Sequence, residues 1–205
     1  MRIRAGATVV GPAAFTVLSA LGLLAALTLT IERFKLLEDA SYVPSCSLNP
    51  VLSCGSVMVT KQAALFGFPN PILGIVAFSV ALVAGVLALG RVELPHWFWL
   101  GLSAGLLLGE VFVHWLIFES LYEIGALCPY CMVVWAVTMP LFVLALSRLI
   151  STGSNNTGPN NTDPSNTGTL GRLFLEWRWT LLAVWYAIVV ALIGIRFSDY
   201  WATFL

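Results

Sequence analysis

Charge is what this chain has least of: Asp, Glu, Lys and Arg together make up 10% of its 205 residues, against about a quarter in ordinary soluble proteins. A soluble domain of that length can bury a good core, but it still needs a charged surface, and here there is too little charge to make one. The few charges balance to a formal net of +0. With no basic cluster and no nucleic-acid motif, nothing points to a nucleic-acid partner. Cysteine is scarce too. Four cysteines make a poor disulfide scaffold, so each calls for its own explanation. What is abundant is apolar surface, at 59% hydrophobic residues and a mean hydropathy of +0.91.

The apolar residues fall into five runs, about Gly11 to Ile31, Pro71 to Leu89, His96 to Phe118, Cys128 to Leu146 and Trp179 to Phe197. Each is near the ~20 residues a helix needs to cross a hydrocarbon core of ~30 Å. The fold class expected is an all-α membrane protein. The first run follows Arg2 and Arg4 like the start of a signal peptide. It is too long for one and ends in no small-residue cleavage site, so a retained helix is expected. Residues 150–178 read as a flexible linker, most clearly Ser151 to Gly168, where Asn-Asn-Thr recurs at Asn155 and Asn160 with no apolar residue to pack. Residues 179–205 then hold the fifth span.

Lys and Arg set the orientation. With the N-terminus inside, Arg2, Arg4, Arg91, Arg148, Arg172 and Arg178 are cytoplasmic, and Arg33, Lys35, Lys61 and Arg196 lie near the outer face. Both cysteine pairs then sit outside, where disulfides persist. The localisation expected is the inner (plasma) membrane, multi-pass. Asn155 and Asn160 fit glycosylation sequons, but inside the cell those are without meaning.

Cys46 and Cys54 lie in a loop from about Phe34 to Asn70, long for a loop without a function. Its Leu65, Phe66 and Phe68 are apolar enough to rest on the membrane surface and cover what lies beneath. Cys128 and Cys131 form Cys-Pro-Tyr-Cys where the fourth span begins. Proline suits a first helical turn, so Cys128 falls at or next to the N-cap. Free backbone N–H groups and the positive helix end stabilise a thiolate there, below the ordinary thiol pKa of about 8.5. Cys131, one turn in, faces the apolar interior. Three plainer readings stand beside a redox pair: inert buried thiols, a zinc half-site and structural disulfides. Zinc fits poorly with the wider pair, so no metal is expected.

In these residues the chain resembles the vitamin K epoxide reductase family, its bacterial branch in particular, over roughly residues 11 to 149. The shared features are Cys-x7-Cys in the first outer loop, Thr60 six residues after the second cysteine, Asn70 just before the second span, and CxxC opening the fourth. The resemblance implies a four-helix bundle around a quinone (menaquinone or ubiquinone), capped by the loop, with a fifth peripheral helix. It implies that Cys46 exchanges with a thioredoxin-fold, DsbA-like protein. Cys54 would pair alternately with Cys46 and Cys128, Cys131 would deliver electrons to the quinone, and Asn70 would hydrogen-bond a quinone oxygen. The activity implied is quinone-dependent disulfide formation. Vitamin K reduction on partner dithiols, or a non-enzymatic subunit with structural disulfides, are the alternatives. The DsbB type of oxidase has its CxxC in the first outer loop, the reverse of the order here.

Two departures stand out. Trp135 occupies the place where vertebrate members carry tyrosine, and at i, i+4 it shares the face of Cys131. Many bacterial relatives carry a fused thioredoxin-like domain after the fifth span, whereas this sequence stops at Leu205, so a separate periplasmic partner is expected. Glu110 and His114 lie one turn apart within the third span. Ionisable groups there are candidates for function. They either pair structurally or relay protons, and the thiols' own protons favour the first. The candidate quinone contacts are thus Asn70, Thr60, Trp135, Phe66, His114 and Glu110. Glu119 and Glu123 read as a solvated face, and His96 as interfacial. Trp97, Trp99, Trp115, Trp177, Trp179 and Trp201 read as aromatic belts.

Overall fold

The structure is a computed structural model that describes residues 10–154 and 169–202. The backbone there is helical, in the order α1 (Val10–Glu38), α2 (Cys54–Met58), α3 (Pro71–Leu89), α4 (His96–Phe118), α5 (Pro129–Ser154), α6 (Thr169–Arg196) and α7 (Ser198–Trp201). A 3-10 turn, Lys61–Ala64, follows α2, and a π-helical turn, Glu119–Ile124, follows α4. Five of the helices are long and apolar enough to cross a membrane. The expected all-α membrane fold is present.

Three boundaries differ from expectation. Helix α1 continues past residue 31 to Glu38, which carries Glu32 and Arg33 onto the helix. The expected linker over 150–178 is a correction at both ends: α5 runs on to Ser154 and α6 begins at Thr169. The stretch from Leu170 to Arg178 is rich in Leu, Arg and Glu, good helix formers. The Asn155 and Asn160 sequons, Arg2 and Arg4 lie outside the described residues.

Helix α1 lies along α3 and α5, and α4 lies along α5, whereas α3 and α4 scarcely meet. The core is Phe15 and Ala26 of α1, Phe78, Ala81 and Ala84 of α3, Leu106 of α4, and Val137, Leu141 and Ala145 of α5. Small residues at such seams let helix backbones approach closely, the main source of packing energy where lipid removes the hydrophobic drive. At Gly85 a Cβ would fall 3.0 Å from the Cα of Thr16 and 2.7 Å from its Oγ1. Gly85→Val should therefore destabilise the bundle by about 1–3 kcal/mol. The check is the thermal midpoint of the protein in detergent; an unchanged midpoint would mean that α1 and α3 part there without cost. Buried hydroxyls in the spans bond back to their own helices: Ser19 to the Phe15 carbonyl at 2.8 Å and Ser147 to that of Val143 at 2.7 Å.

Helix α6 packs on the outside of α5 and buries only Leu182 among its side chains. Three polar contacts fix it: Trp185 Nε1 donates to His114 Nε2 at 2.9 Å, Arg196 Nε to the Leu121 carbonyl at 2.7 Å, and the Tyr186 hydroxyl to the Ala136 carbonyl. The belt reading of Trp99 is a correction. It is buried and meets Phe15 edge to face at 6.5 Å. Trp99, Ser103, Leu106, Glu110, Val113 and Ile117 share the face of α4 that turns inward. Trp97, Trp177 and Trp179 are exposed as belt residues are, and the side chain of Trp201 lies outside the described residues.

Candidate active site

The loop between α1 and α3 is tied down at its base by a carboxylate. Glu32, buried near the end of α1, accepts from the Tyr42 hydroxyl at 3.0 Å, from Ser45 N at 3.2 Å and from Ser45 Oγ at 3.0 Å. Further along, Asn49 Oδ1 accepts from Val51 N and Leu52 N, forming the turn after which the chain runs alongside residue 127. Leu127 N donates to the Val51 carbonyl at 2.7 Å, and Ser53 N to the Leu127 carbonyl at 2.9 Å. This isolated parallel bridge, Leu52 to Leu127, joins the two segments that carry the cysteines. Ser53 caps α2, accepting from Ser56 N, so Cys54 opens that helix.

Cys46 and Cys54 form a disulfide, and Cys128 and Cys131 are free thiols. Cys54 Sγ lies 3.0 Å from Cys128 Sγ, and both residues are fully buried. The sulfurs of Cys46, Cys54 and Cys128 all lie within 4.8 Å of one another. Such a cluster can hold a metal or exchange bonds. With two of the sulfurs in a disulfide it has too few thiolates for a four-ligand zinc site, while a thiolate beside a disulfide is the geometry of exchange. Cys128 immediately precedes α5, and its carbonyl accepts the first helical bond, from Met132 N at 2.9 Å. The Cys131 side chain donates to its sulfur, and the backbone N–H groups of Cys131 and Tyr130 add to that. Together they outweigh burial and hold the Cys128 thiol below its usual range. The helix-start argument from the sequence carries over.

Cys131 turns into a cavity of about 510 Å³ bounded by α1, the loop, α3, α4 and α5. That size is within the range of small-molecule sites. Gly101, Gly105 and Gly109 line it from α4, and a Cβ at Gly101 or Gly105 would meet nothing within 4 Å. Phe78, Phe98, Phe112 and Trp135 supply ring faces suited to a flat aromatic-like guest. Val80 and Trp97 also line it and are themselves exposed, so the cavity reaches the surface between α3 and α4. Polar groups in the wall are few: Asn70, Thr138 and Arg33 among them.

Of the residues expected to meet a quinone, Asn70 and Trp135 line this cavity with Cys131. Asn70 Nδ2 donates to the Gln62 carbonyl at 2.6 Å and its Oδ1 accepts from Leu65 N at 3.1 Å. One amide hydrogen is thus left for a ligand. Trp135 is buried, and its Nε1 has no partner among the described residues. The other four lie elsewhere. Thr60 donates to the Val57 carbonyl at 2.8 Å and borders a side pocket of about 30 Å³ that Cys131 and Trp135 also touch. Phe66 is exposed and stacks on Phe68 and against Phe112, outside the wall. Glu110 and His114 are not in the cavity wall: Glu110 is buried, and His114, half exposed, meets Trp185 of α6. His114 Nδ1 bonds to the Glu110 carbonyl at 2.8 Å, and the Glu110 carboxylate stands 3.3 Å off without a well-aligned hydrogen bond. Sequence reasoning missed Glu32 and Arg33, which read as ordinary charges at a span's end, and the bridge at Leu127, which no pattern announces.

The model of the vitamin K epoxide reductase family matches residues 13–146, the four helices that surround the cavity and all four cysteines. No curated protein matches the chain closely enough to report. The match spans more than half of the sequence, and the geometry within it is that of sulfur exchange beside a ligand cavity. The chain therefore belongs to the vitamin K epoxide reductase family, membrane oxidoreductases of thiols and disulfides associated with quinones.

Proposed function

We propose that the chain is a quinone-linked oxidoreductase that generates disulfides in a separate thioredoxin-fold protein outside the inner membrane. One observation carries this reading: Cys128 touches the outer disulfide through Cys54 at 3.0 Å, while its helix neighbour Cys131 lines the cavity. The cysteines thus link an outer loop, whose Cys46 is buried here and has to be uncovered for a partner, to a pocket that a lipid-dissolved ring can enter.

The residues present fit a quinone. Ring faces from Phe78, Phe112 and Trp135, the spare Asn70 amide hydrogen and the Arg33 side chain line a cavity that opens between helices. A quinone bound there, menaquinone or ubiquinone, supplies a two-electron, two-proton acceptor. The exchange steps belong to the chain's own sulfurs. A partner thiolate attacks Cys46, breaking the Cys46–Cys54 bond and releasing the Cys54 thiolate. Cys54 attacks Cys128 of a Cys128–Cys131 disulfide, and Cys131 leaves as a thiolate. The partner's second thiol displaces Cys46, which in turn displaces Cys128 from Cys54. The partner is left oxidised, the outer disulfide is restored, and the inner pair holds two electrons. That end state is the pairing of the structure, with the outer pair joined and the inner pair free. Passing the two electrons to the quinone re-forms the Cys128–Cys131 disulfide.

The test is anaerobic mixing of the purified protein with a short-chain quinone and a reduced CxxC protein. Quinone absorbance should fall by one equivalent for each disulfide formed in the partner. An absorbance that stays constant with both ubiquinone and menaquinone analogues would sink the reading.

A further inference from the structure

The cysteine exchange depends on how Cys128 is held, and part of the hold comes from outside the family's four helices. Between α4 and α5 the chain makes a π-helical turn, Glu119–Ile124, then reverses through Gly125 at φ 69° to reach Leu127 and Cys128. Leu121 in that turn is fully buried, and Arg196 at the end of α6 donates its Nε to the Leu121 carbonyl at 2.7 Å. A buried carbonyl without a donor is costly, so this bond sets where the turn lies. The next residue, Phe197, is buried among Val51, Leu127 and Trp135. It therefore shares a core with side chains from both sides of the bridge that brings the Cys54 segment to the Cys128 segment. From the loop side, Gln62 Nε2 donates to Glu119 Oε2 at 3.1 Å, fixing the start of the same turn. Helix α6 lies beyond residues 13–146, where the family match ends.

We propose that Arg196 is a positioning residue for the Cys54–Cys128 exchange: with Phe197 it clamps the 119–128 turn against the loop and so sets the distance between the two sulfurs. The inference rests on the proposed relay and adds to it a task for the fifth helix. Sulfur exchange is sensitive to placement, since the attacking, central and leaving sulfurs must align and a shift of an ångström costs heavily.

The exchange can be read without any quinone. In a Cys131→Ser background brought from acid to neutral pH, the Cys128 thiolate attacks Cys54 and Cys46 leaves as a thiolate; Cys46 can attack Cys54 in return, so the Cys54–Cys128 linkage rises to an equilibrium level at the exchange rate. Its appearance is timed in the full chain in lipid discs by acid quench, alkylation and peptide mass mapping. Arg196→Met should slow it about tenfold, and Arg196→Gln, whose amide Nε2 stands where the arginine Nε stands and can donate to the same carbonyl, should recover most of the rate. As a control on folding, Cys46→Ser/Cys54→Ser protein should reduce quinone from dithiothreitol through the inner pair alone, and there Arg196→Met should change nothing. An unchanged linkage rate in Arg196→Met overturns the clamp. So does an equal loss in the control, which would mean that Arg196 supports the bundle at large. A protein that shows the expected linkage kinetics but reduces no quinone would sink the proposed function and leave the clamp standing.

Discussion

Cys131→Ala should reduce quinol formation from a reduced partner by at least about a thousandfold, the scale on which losing one member of a catalytic unit acts. The reason is stoichiometric. Cys128 and Cys131 lie one helical turn apart beside the cavity, and two electrons leave them only as a new bond forms between their sulfurs. With alanine at 131, Cys128 has one available partner, Cys54, at 3.0 Å. The variant should therefore only pass its one disulfide between Cys46–Cys54 and Cys54–Cys128, linkages visible in non-reducing peptide maps. Alanine is smaller than cysteine and only enlarges a cavity that Cys131 already lines, so folding should hold. Quinol formation at the normal rate in this variant would mean that electrons reach the cavity by another route, and the relay would be wrong.

Cys54→Ala should divide the activity in two. Partner-driven quinone reduction should drop to background, because Cys46 is left without the sulfur that hands electrons inward. Reduction driven by dithiothreitol should persist to within about tenfold, since a small dithiol can reduce Cys128–Cys131 directly by the same exchange chemistry. Both rates come from one anaerobic assay of quinone absorbance with the two reductants in turn. If partner-driven turnover survives in Cys54→Ala, the partner contacts the inner pair itself and the outer pair is a structural bond. The buried setting of Cys54 beside Cys128 argues for the first outcome.

Much of this was legible in the residues, and where it was not the cause is physical. Span lengths follow from hydrocarbon thickness, so all five helices could be placed. Pro129 announces a helix start, so the place of Cys128 at or next to the N-cap could be named. Which face of α4 meets which neighbour could not be read. A membrane helix is apolar toward lipid and toward its own bundle alike, so periodicity loses its contrast. Glu110 and His114 were rightly put on one face, but nothing in the pattern told that face from the one bearing Gly101 and Gly105. Trp99 was misplaced for the same reason: an indole near a span's end reads alike whether it faces headgroups or Phe15. The loop's anchoring on Glu32 and the pairing of Leu52 with Leu127 join residues far apart in sequence. Only the folded chain brings them together.

The cavity opens sideways between α3 and α4, and the outer disulfide approaches Cys128 from the loop, so the two substrates of the proposed reaction arrive from different solvents. The donor never has to dissolve in lipid and the acceptor never has to enter water. What crosses the boundary is a succession of sulfur–sulfur bonds, none moving far. The bundle then resembles a phase-transfer catalyst held at the interface. Its aqueous reactant is counted per volume and its lipid reactant per area of membrane, so concentrating one does nothing to crowd the other.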